Sequence, residues 1–145
     1  MYFEEFNLND SFQTKGRTVT ETDSVLFSTL TGAYNPLFID QNYAKGTRFG
    51  GRIVSGMLTA SIAIGLSYQL TCRPFDEGFI AMTELHFKAN KPVRIDDTLT
   101  CRVTVKNKEP KEKNGIVELM MEVNNQENVN VMLITQKILV KKKEL

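Results

Sequence analysis

The chain contains few side chains that could move a proton in a reaction. Its only histidine, His86, alternates with Leu85 and Phe87 in a strand-like segment, so it faces away from the side that those residues bury. Asp40 follows Phe38 and Ile39, a position that suits a helix cap. The sequence therefore predicts a solvent-facing histidine and a structural carboxylate.

Two other polar residues stand where the chain turns or a helix begins. Asn35 precedes Pro36, and it either orients a ligand or a water or builds a turn by bonding its own backbone. Ser55 precedes Gly56 at the start of an apolar segment. Its hydroxyl either takes part in a site or caps the helix, and the two roles are compatible. The chemistry open to these residues is hydrogen bonding to a ligand.

Several common kinds of site are missing from the sequence. There is no G-x-x-x-x-G-K-[ST] or G-x-G-x-x-G pattern and no cluster with metal-ligand spacing. We therefore predict neither a cofactor nor a metal. The formal net charge of +1 argues against a broad face for nucleic acid. The basic run at residues 141–143 is interpreted as a solvated tail.

The composition predicts a cytoplasmic protein of one domain, residues 1–145. A hydrophobic content of 41% is enough for a core without disulfides. Cys72 and Cys101 lie far apart, so two buried thiols in a reducing compartment fit better than one disulfide. The first residues lack a signal-peptide pattern, and the apolar run at residues 56–70 carries too many polar residues to span a membrane.

Helical patterns fill the first half of the chain. A capping signal at Thr20 precedes apolar residues at helical spacing, and Gly32 can end this helix in a left-handed conformation. A second, short helix is expected from near Asp40, with Tyr43 and Ala44 facing inward. The segment 56–70 is apolar on all sides, which predicts a helix that is buried on most of them.

Strand patterns fill the second half. Alternating apolar and polar side chains predict four strands at residues 79–93, 98–108, 115–124 and 129–141. Asn114-Gly115 and the polar stretch 124–130 predict hairpin turns. Residues 131–134 are apolar on both faces and are expected to lie centrally. The expected fold is α+β, a single hot-dog domain with a long central helix wrapped by a curved antiparallel sheet.

Three segments of the chain resemble one known family. Residues 31–38 read T-G-A-Y-N-P-L-F, which resembles the S/T-G-D-x-N-P-x-H signature of MaoC-like dehydratases and (R)-specific enoyl-CoA hydratases (hydratase 2). Residues 48–58 resemble that family's F-x-x-x-I-V-H-G-M-L segment at the start of the hot-dog helix. Residues 87–99 resemble its R/K-F-x-x-P-V-x-x-G-D-T-L segment. The resemblance covers about residues 6–140.

The resemblance implies a function as well as a fold. It implies a homodimer whose sheets join edge to edge, and a tunnel for an acyl thioester of coenzyme A or acyl carrier protein. In active members an Asp and a His activate one water, which adds across the double bond of a trans-2-enoyl thioester. The backbone N–H of Gly56 would meet the thioester oxygen at a helix N-terminus. The residues expected to bind the substrate are Tyr34, Ile53, Gly56, Met57 and Ile64.

The chain departs from the family pattern at the residues that do the chemistry. The family Asp corresponds to Ala33, the family His to Phe38, and the His of H-G-M-L to Ser55. A position that is often small and polar corresponds to Ile64. Losing one positioned acid or base typically removes about 10²–10⁴-fold of rate, so losing two from one water predicts weak, altered or lost hydration. The remaining catalytic candidates are Asn35, Ser55 and Gly56.

Three functions therefore stay open from the sequence. The first is a thioester-binding hydratase homologue with reduced, altered or lost activity. The second is a non-catalytic subunit that binds thioesters or pairs with an active homologue in a heterodimer. The third is a thioesterase, for which Asp40, Asn35 or Ser55 could supply the polar group. Arg48 and Arg52 flank a glycine-rich loop and could meet coenzyme A phosphates.

Overall fold

The computed structural model describes residues 1–143, with helices in the first half and long strands in the second. A 3₁₀ turn and two short strands come first: Phe3–Glu5, β1 (Ser11–Gln13) and β2 (Arg17–Thr18). Four helices follow: α1 (Glu21–Thr31), α2 (Pro36–Ile39), α3 (Gln41–Lys45) and α4 (Gly56–Tyr68). The long strands are β3 (Phe79–Ala89), β4 (Thr98–Pro110), β5 (Asn114–Asn124) and β6 (Asn130–Lys141).

The strands pair in one antiparallel sheet with the order β1-β4-β5-β6-β3, and β2 also pairs with β4. Strand β6 has neighbours on both sides, which confirms the expectation of an interior strand, although β5 is the middle one. The register shifts within β3, between Met82 and Glu84, and within β4, between Val105 and Asn107. Such irregularities bend strands, and they help the sheet to curve.

Helix α4 shares one hydrophobic core with the sheet. Its residues Leu58, Ala63 and Leu66 are buried together with residues of β4, β5 and β6. The prediction of a largely buried helix is confirmed, but Met57 and Tyr68 lie exposed on it, and the helix ends two residues before the predicted position. A sheet curved around a central helix is the architecture that the sequence patterns predict.

Helix α1 begins and ends as the sequence predicts. The Thr20 hydroxyl accepts a hydrogen bond from the Asp23 backbone N–H (3.1 Å), and the Asp23 carboxylate accepts one from the Thr20 N–H (2.8 Å). This reciprocal capping satisfies two donors that the first helical turn leaves free. Gly32 ends the helix with φ +75°, the left-handed conformation that glycine adopts without strain.

The prediction that Tyr43 faces inward is wrong. Tyr43 is 54% exposed, while its neighbour Ala44 is fully buried. Neighbouring residues of a helix point about 100° apart, so a helix of one turn turns only one of them to the core.

Asn114-Gly115 does not form the predicted turn, since both residues lie in β5 and the loop spans residues 111–113. Gly115 is required by packing: a Cβ there would lie 2.3 Å from the Phe3 ring.

Candidate functional site

Two backbone hydrogen bonds hold the segment that leads into α4. The Ile53 N–H donates to the carbonyl oxygen of Leu37 in α2 (3.3 Å). The Val54 N–H donates to the carbonyl oxygen of Val93, in the connection between β3 and β4 (2.8 Å). The start of α4 is therefore fixed between α2 and the β3–β4 connection.

A cavity of about 220 Å³ lies at this start of α4. Its walls come from the loop before α4, the first turn of α4, the β3–β4 connection and the start of β6. The described lining residues are Arg48, Phe49, Ile53, Val54, Gly56, Thr59, Ala89, Asn90, Lys91, Pro92, Val93, Val131 and Met132. None of these is an Asp, Glu or His, so the cavity offers hydrogen-bonding and apolar groups and two cations.

Gly56 opens the helix N-terminus to the cavity. It is the first residue of α4, and backbone N–H groups in a first turn have no acceptor within the helix. The helix dipole makes this end partly positive, which suits an oxygen that carries negative charge. A Cβ at Gly56 would lie 3.5 Å from the Phe87 ring and 3.9 Å from the Met132 methyl group, so the glycine keeps this space open.

Ser55 does not cap the helix with its side chain. It occupies the N-cap position and is buried, but its hydroxyl makes no capping hydrogen bond, so the prediction of an N-cap hydroxyl is wrong. Its backbone carbonyl instead accepts from the Thr59 N–H (3.0 Å). Ser55 is not among the residues that line the cavity.

The two positions at which the family's acid and base are replaced do not line the cavity. Ala33 and Phe38 are both half-buried, and neither is a lining residue. The Asn35 side chain accepts a hydrogen bond from the Leu37 N–H (2.9 Å) and caps α2. Asn35 therefore builds the turn, which is one of its two predicted roles.

The structure brings two of the five expected substrate-binding residues into the cavity. Ile53 and Gly56 line it, whereas Tyr34, Met57 and Ile64 do not. Tyr34 and Met57 are exposed on the surface of the chain, and Ile64 packs partly buried against the hydrophobic core. The roles of these three residues stay predictions.

The other polar candidates separate into structural and cavity residues. Asp40 caps α3 by accepting from the Tyr43 N–H (3.0 Å), and His86 is exposed on β3, both as predicted. Arg52 pairs with Glu21 (2.8 Å) and lies away from the cavity. Arg48 lines the cavity, with its guanidinium 4.9 Å from the centre of the Phe49 ring.

The two thiols are free and poorly nucleophilic. Burial raises the pKa of Cys101 to about 12 and also raises the pKa of the half-buried Cys72. Both groups stay protonated at neutral pH, and the thiolate is the reactive form. Among residues 1–143 no cluster of His, Cys, Asp and Glu could hold a metal, and no helix is long and apolar enough to cross a bilayer.

Sequence reasoning missed Thr59 as a member of the site. In the sequence, Thr59 is one of the polar residues that interrupt the apolar run 56–70, whereas the structure places it in the cavity lining, one turn after Gly56. A threonine three residues after the motif glycine was the available signal, because such residues share a helix face.

Comparison with known proteins agrees with this fold. The family model described as MaoC like domain matches residues 5–127. The chain belongs to the MaoC-like domain family. An (R)-specific enoyl-CoA hydratase of Rhodospirillum rubrum is 38% identical over 113 residues, which is 77% of this chain and 74% of that protein.

Other similar proteins differ in length, and the solved structures among them share the fold. Protein MaoC of Klebsiella aerogenes is 36% identical over 117 residues, and the matched part is 81% of this chain but only 34% of that protein. A monoamine oxidase regulatory protein of Archaeoglobus has a TM-score of 0.93 at 34% identity, covering 99% of this chain and 96% of its own. A Mycobacterium tuberculosis protein with a double hot-dog fold has a TM-score of 0.83 at 18% identity, covering 99% of this chain and 44% of its own. The predicted hot-dog fold is confirmed.

Proposed function

We propose that this protein binds acyl thioesters of coenzyme A or acyl carrier protein, and that its hydratase activity is weak, altered or lost. Family membership supports the ligand class, because one relative is an (R)-specific enoyl-CoA hydratase. The observation that carries the proposal is the cavity at the start of α4. It keeps the open helix N-terminus at Gly56, while its described lining has no Asp, Glu or His.

The helix N-terminus accounts for thioester binding. A thioester carbonyl oxygen placed against the first turn of α4 accepts from backbone N–H groups that have no partner in the helix. These donors are fixed before the ligand arrives, so little reorganisation is needed when the oxygen gains negative charge. This arrangement stabilises a polarised thioester, but it does not by itself activate a water.

The size and charge of the cavity support a ligand that extends beyond it. Its volume of about 220 Å³ is below the roughly 300–1,000 Å³ of pockets that enclose a whole small molecule. The cavity therefore fits the thioester end of a carrier and not the entire coenzyme. Arg48 and Lys91 in the lining make the cavity positively charged, which favours the approach of an anionic carrier.

Acyl-CoA binding is the direct test. With butyryl-CoA at a hundred times its dissociation constant, we expect the free energy of unfolding to rise by about 2.7 kcal/mol. Gly56→Ala should bind much more weakly, because its methyl group enters the space that the glycine keeps open. It should still fold, because its Cβ meets the Phe87 ring at 3.5 Å, an ordinary contact distance. If no acyl-CoA from short to long chains shifts the melting temperature, and acyl carrier protein thioesters do not bind, the proposal is wrong.

The same samples can be assayed for hydration and for hydrolysis. Crotonyl-CoA should be hydrated far more slowly than by a member with the complete acid/base pair, and free thiol should not accumulate. Release of free thiol would instead indicate a thioesterase. The Asp40 carboxylate does not favour hydrolysis, since it accepts from the Tyr43 N–H and does not line the cavity.

A second candidate function is that of a partner subunit in a heteromeric hydratase. Apolar side chains exposed on α1 favour it, because Leu26 is 61% and Leu30 is 86% exposed. Mixing this protein with a MaoC-like homologue that has the complete signature should then give a mixed dimer with higher activity.

We also propose that the protein forms a homodimer in the absence of such a partner. We propose further that it works in a reducing cytoplasm, and the two free thiols support this location.

A further inference from the structure

We propose that the Thr59 hydroxyl is a second hydrogen-bond donor to the thioester carbonyl oxygen, beside the N-terminal N–H groups of α4. The inference rests on the proposed function and deepens it, because it names a side chain that recognises the acyl group. Its starting point is an unpartnered buried atom. Thr59 is only 1% exposed, and its hydroxyl oxygen has no hydrogen-bond partner in the described chain.

Some other hydroxyls in the helices of this protein donate to a backbone carbonyl of the preceding turn. Ser61, two residues further along α4, donates to the carbonyl oxygen of Met57 (2.8 Å). Thr29 and Thr31 in α1 likewise donate to carbonyl oxygens four residues earlier, at 2.9 Å and 2.7 Å. Thr59 makes no such bond, although leaving a buried hydroxyl unpaired is costly. A ligand oxygen in the cavity would satisfy it.

The position of Thr59 fits a contact with the same oxygen that Gly56 meets. Residues three apart on a helix share one face, and Cα–Cβ bonds in a helix tilt toward its N-terminus. The Thr59 side chain therefore leans toward the first turn, and both residues line the cavity. The other buried side-chain oxygen without a partner in residues 1–143, on Gln136, belongs to no cavity-lining residue.

Two ligands and three variants test the contact. Binding of butyryl-CoA is compared with binding of S-butyl-CoA, a thioether that lacks the carbonyl oxygen. Thr59→Val replaces the hydroxyl by a methyl group of similar size. Thr59→Ser keeps the hydroxyl, and Ser61→Ala removes an exposed hydroxyl from the same helix outside the cavity.

We expect Thr59→Val to weaken butyryl-CoA binding about threefold to tenfold, the range of one hydrogen bond, and to leave S-butyl-CoA binding unchanged. Thr59→Ser and Ser61→Ala should bind both ligands as the wild type does. Without ligand, Thr59→Val should melt at the same temperature as the wild type or higher, because it removes an unsatisfied buried group.

Three results would overturn the inference while leaving the proposed function intact. These are equal butyryl-CoA binding by wild type and Thr59→Val, equal weakening of both ligands, and a lower melting temperature of unliganded Thr59→Val. The last would show that the hydroxyl serves the fold, through an ordered water. If the wild type binds no acyl thioester, the proposed function fails together with the inference.

Discussion

Ala33, between α1 and α2, and Phe38, in α2, change what this part of the chain can do to a water molecule. An alanine has no atom that accepts a proton, and a phenyl ring cannot hydrogen-bond water as an imidazole does. The polar side chains on either side of Phe38 are engaged in structure. Asn35 accepts from the Leu37 N–H and Asp40 accepts from the Tyr43 N–H. The residues that remain therefore favour ligand binding over water activation.

Restoring the pair should restore hydration. We expect Ala33→Asp with Phe38→His to raise the rate of crotonyl-CoA hydration by at least about 10²-fold, the contribution of one positioned acid or base. Each single change should give much less, because two groups that act on one water are not additive. The loss of enoyl absorbance measures the rate.

The rate of the double variant can be interpreted only if the variant is folded. Both positions are half-buried, so a new carboxylate at position 33 can lower stability, and the melting temperature of the double variant must be measured first. Wild-type turnover as fast as that of a complete hydratase would contradict the interpretation of a vacated site. Asn35, Tyr34 or Ser55 would then have to act on the water.

At the scale of elements, the start of α1 depends on one carboxylate. Arg17, in β2, donates two hydrogen bonds to the Asp23 carboxylate, at 3.1 Å and 2.7 Å. The same carboxylate accepts from the Thr20 N–H. The Arg17 hydrogen bonds, with those from Thr20, hold the pKa of Asp23 below its usual value against the opposing effect of burial. The carboxylate therefore ties α1 to β2.

This link predicts a pH-dependent stability. A lowered pKa in the folded state means that ionised Asp23 stabilises the fold above the unfolded pKa of about 3.9, and that this contribution is lost as the pH falls through the folded value. Asp23→Asn should lower the free energy of unfolding by about 0.5–1 kcal/mol at pH 7. Urea unfolding at pH 7 and at progressively lower pH should show that the difference from wild type shrinks in acid. Glu127→Gln, in the exposed β5–β6 loop, serves as the control, and a deficit that persists in acid would contradict the mechanism.

At the scale of the whole molecule, β3 leaves one side of the sheet open. It is the last strand in the sheet order and pairs only with β6 among the described strands. Its apolar residues Ile80 and Leu85 are 43% and 40% exposed. A long edge strand with free backbone groups and exposed apolar side chains is a template for pairing with a second chain.

We expect the protein to be a dimer in light scattering at micromolar concentration, with β3 at the interface. Leu85→Lys places a charge on this edge and should shift the mass toward the monomer. The control is Val129→Lys, at a similarly exposed apolar residue in the β5–β6 loop. A monomeric wild type, or a Leu85→Lys variant as dimeric as Val129→Lys, would contradict assembly through this edge.

The sequence by itself determined the family and the order of the longer helices and strands. Local signals sufficed there: capping by Thr20, the left-handed Gly32, and alternation along the long strands are all properties of neighbouring residues. The replacements at positions 33 and 38 were also visible, because they stand in a motif with fixed spacing. These features do not depend on which distant segments meet.

Only the tertiary structure decided which residues share the cavity and which residues serve the fold. The sequence predicted Gly115 to be a turn residue. The structure shows that the Phe3 ring, which lies far away in the chain, leaves no room for a side chain there. Ser55 read as a cap, yet its hydroxyl makes no capping bond. The structure alone shows that the buried Thr59 hydroxyl has no partner and that Thr59 lines the same cavity as Gly56. Burial and hydrogen-bond satisfaction depend on contacts between distant segments, and a periodic pattern carries no record of them.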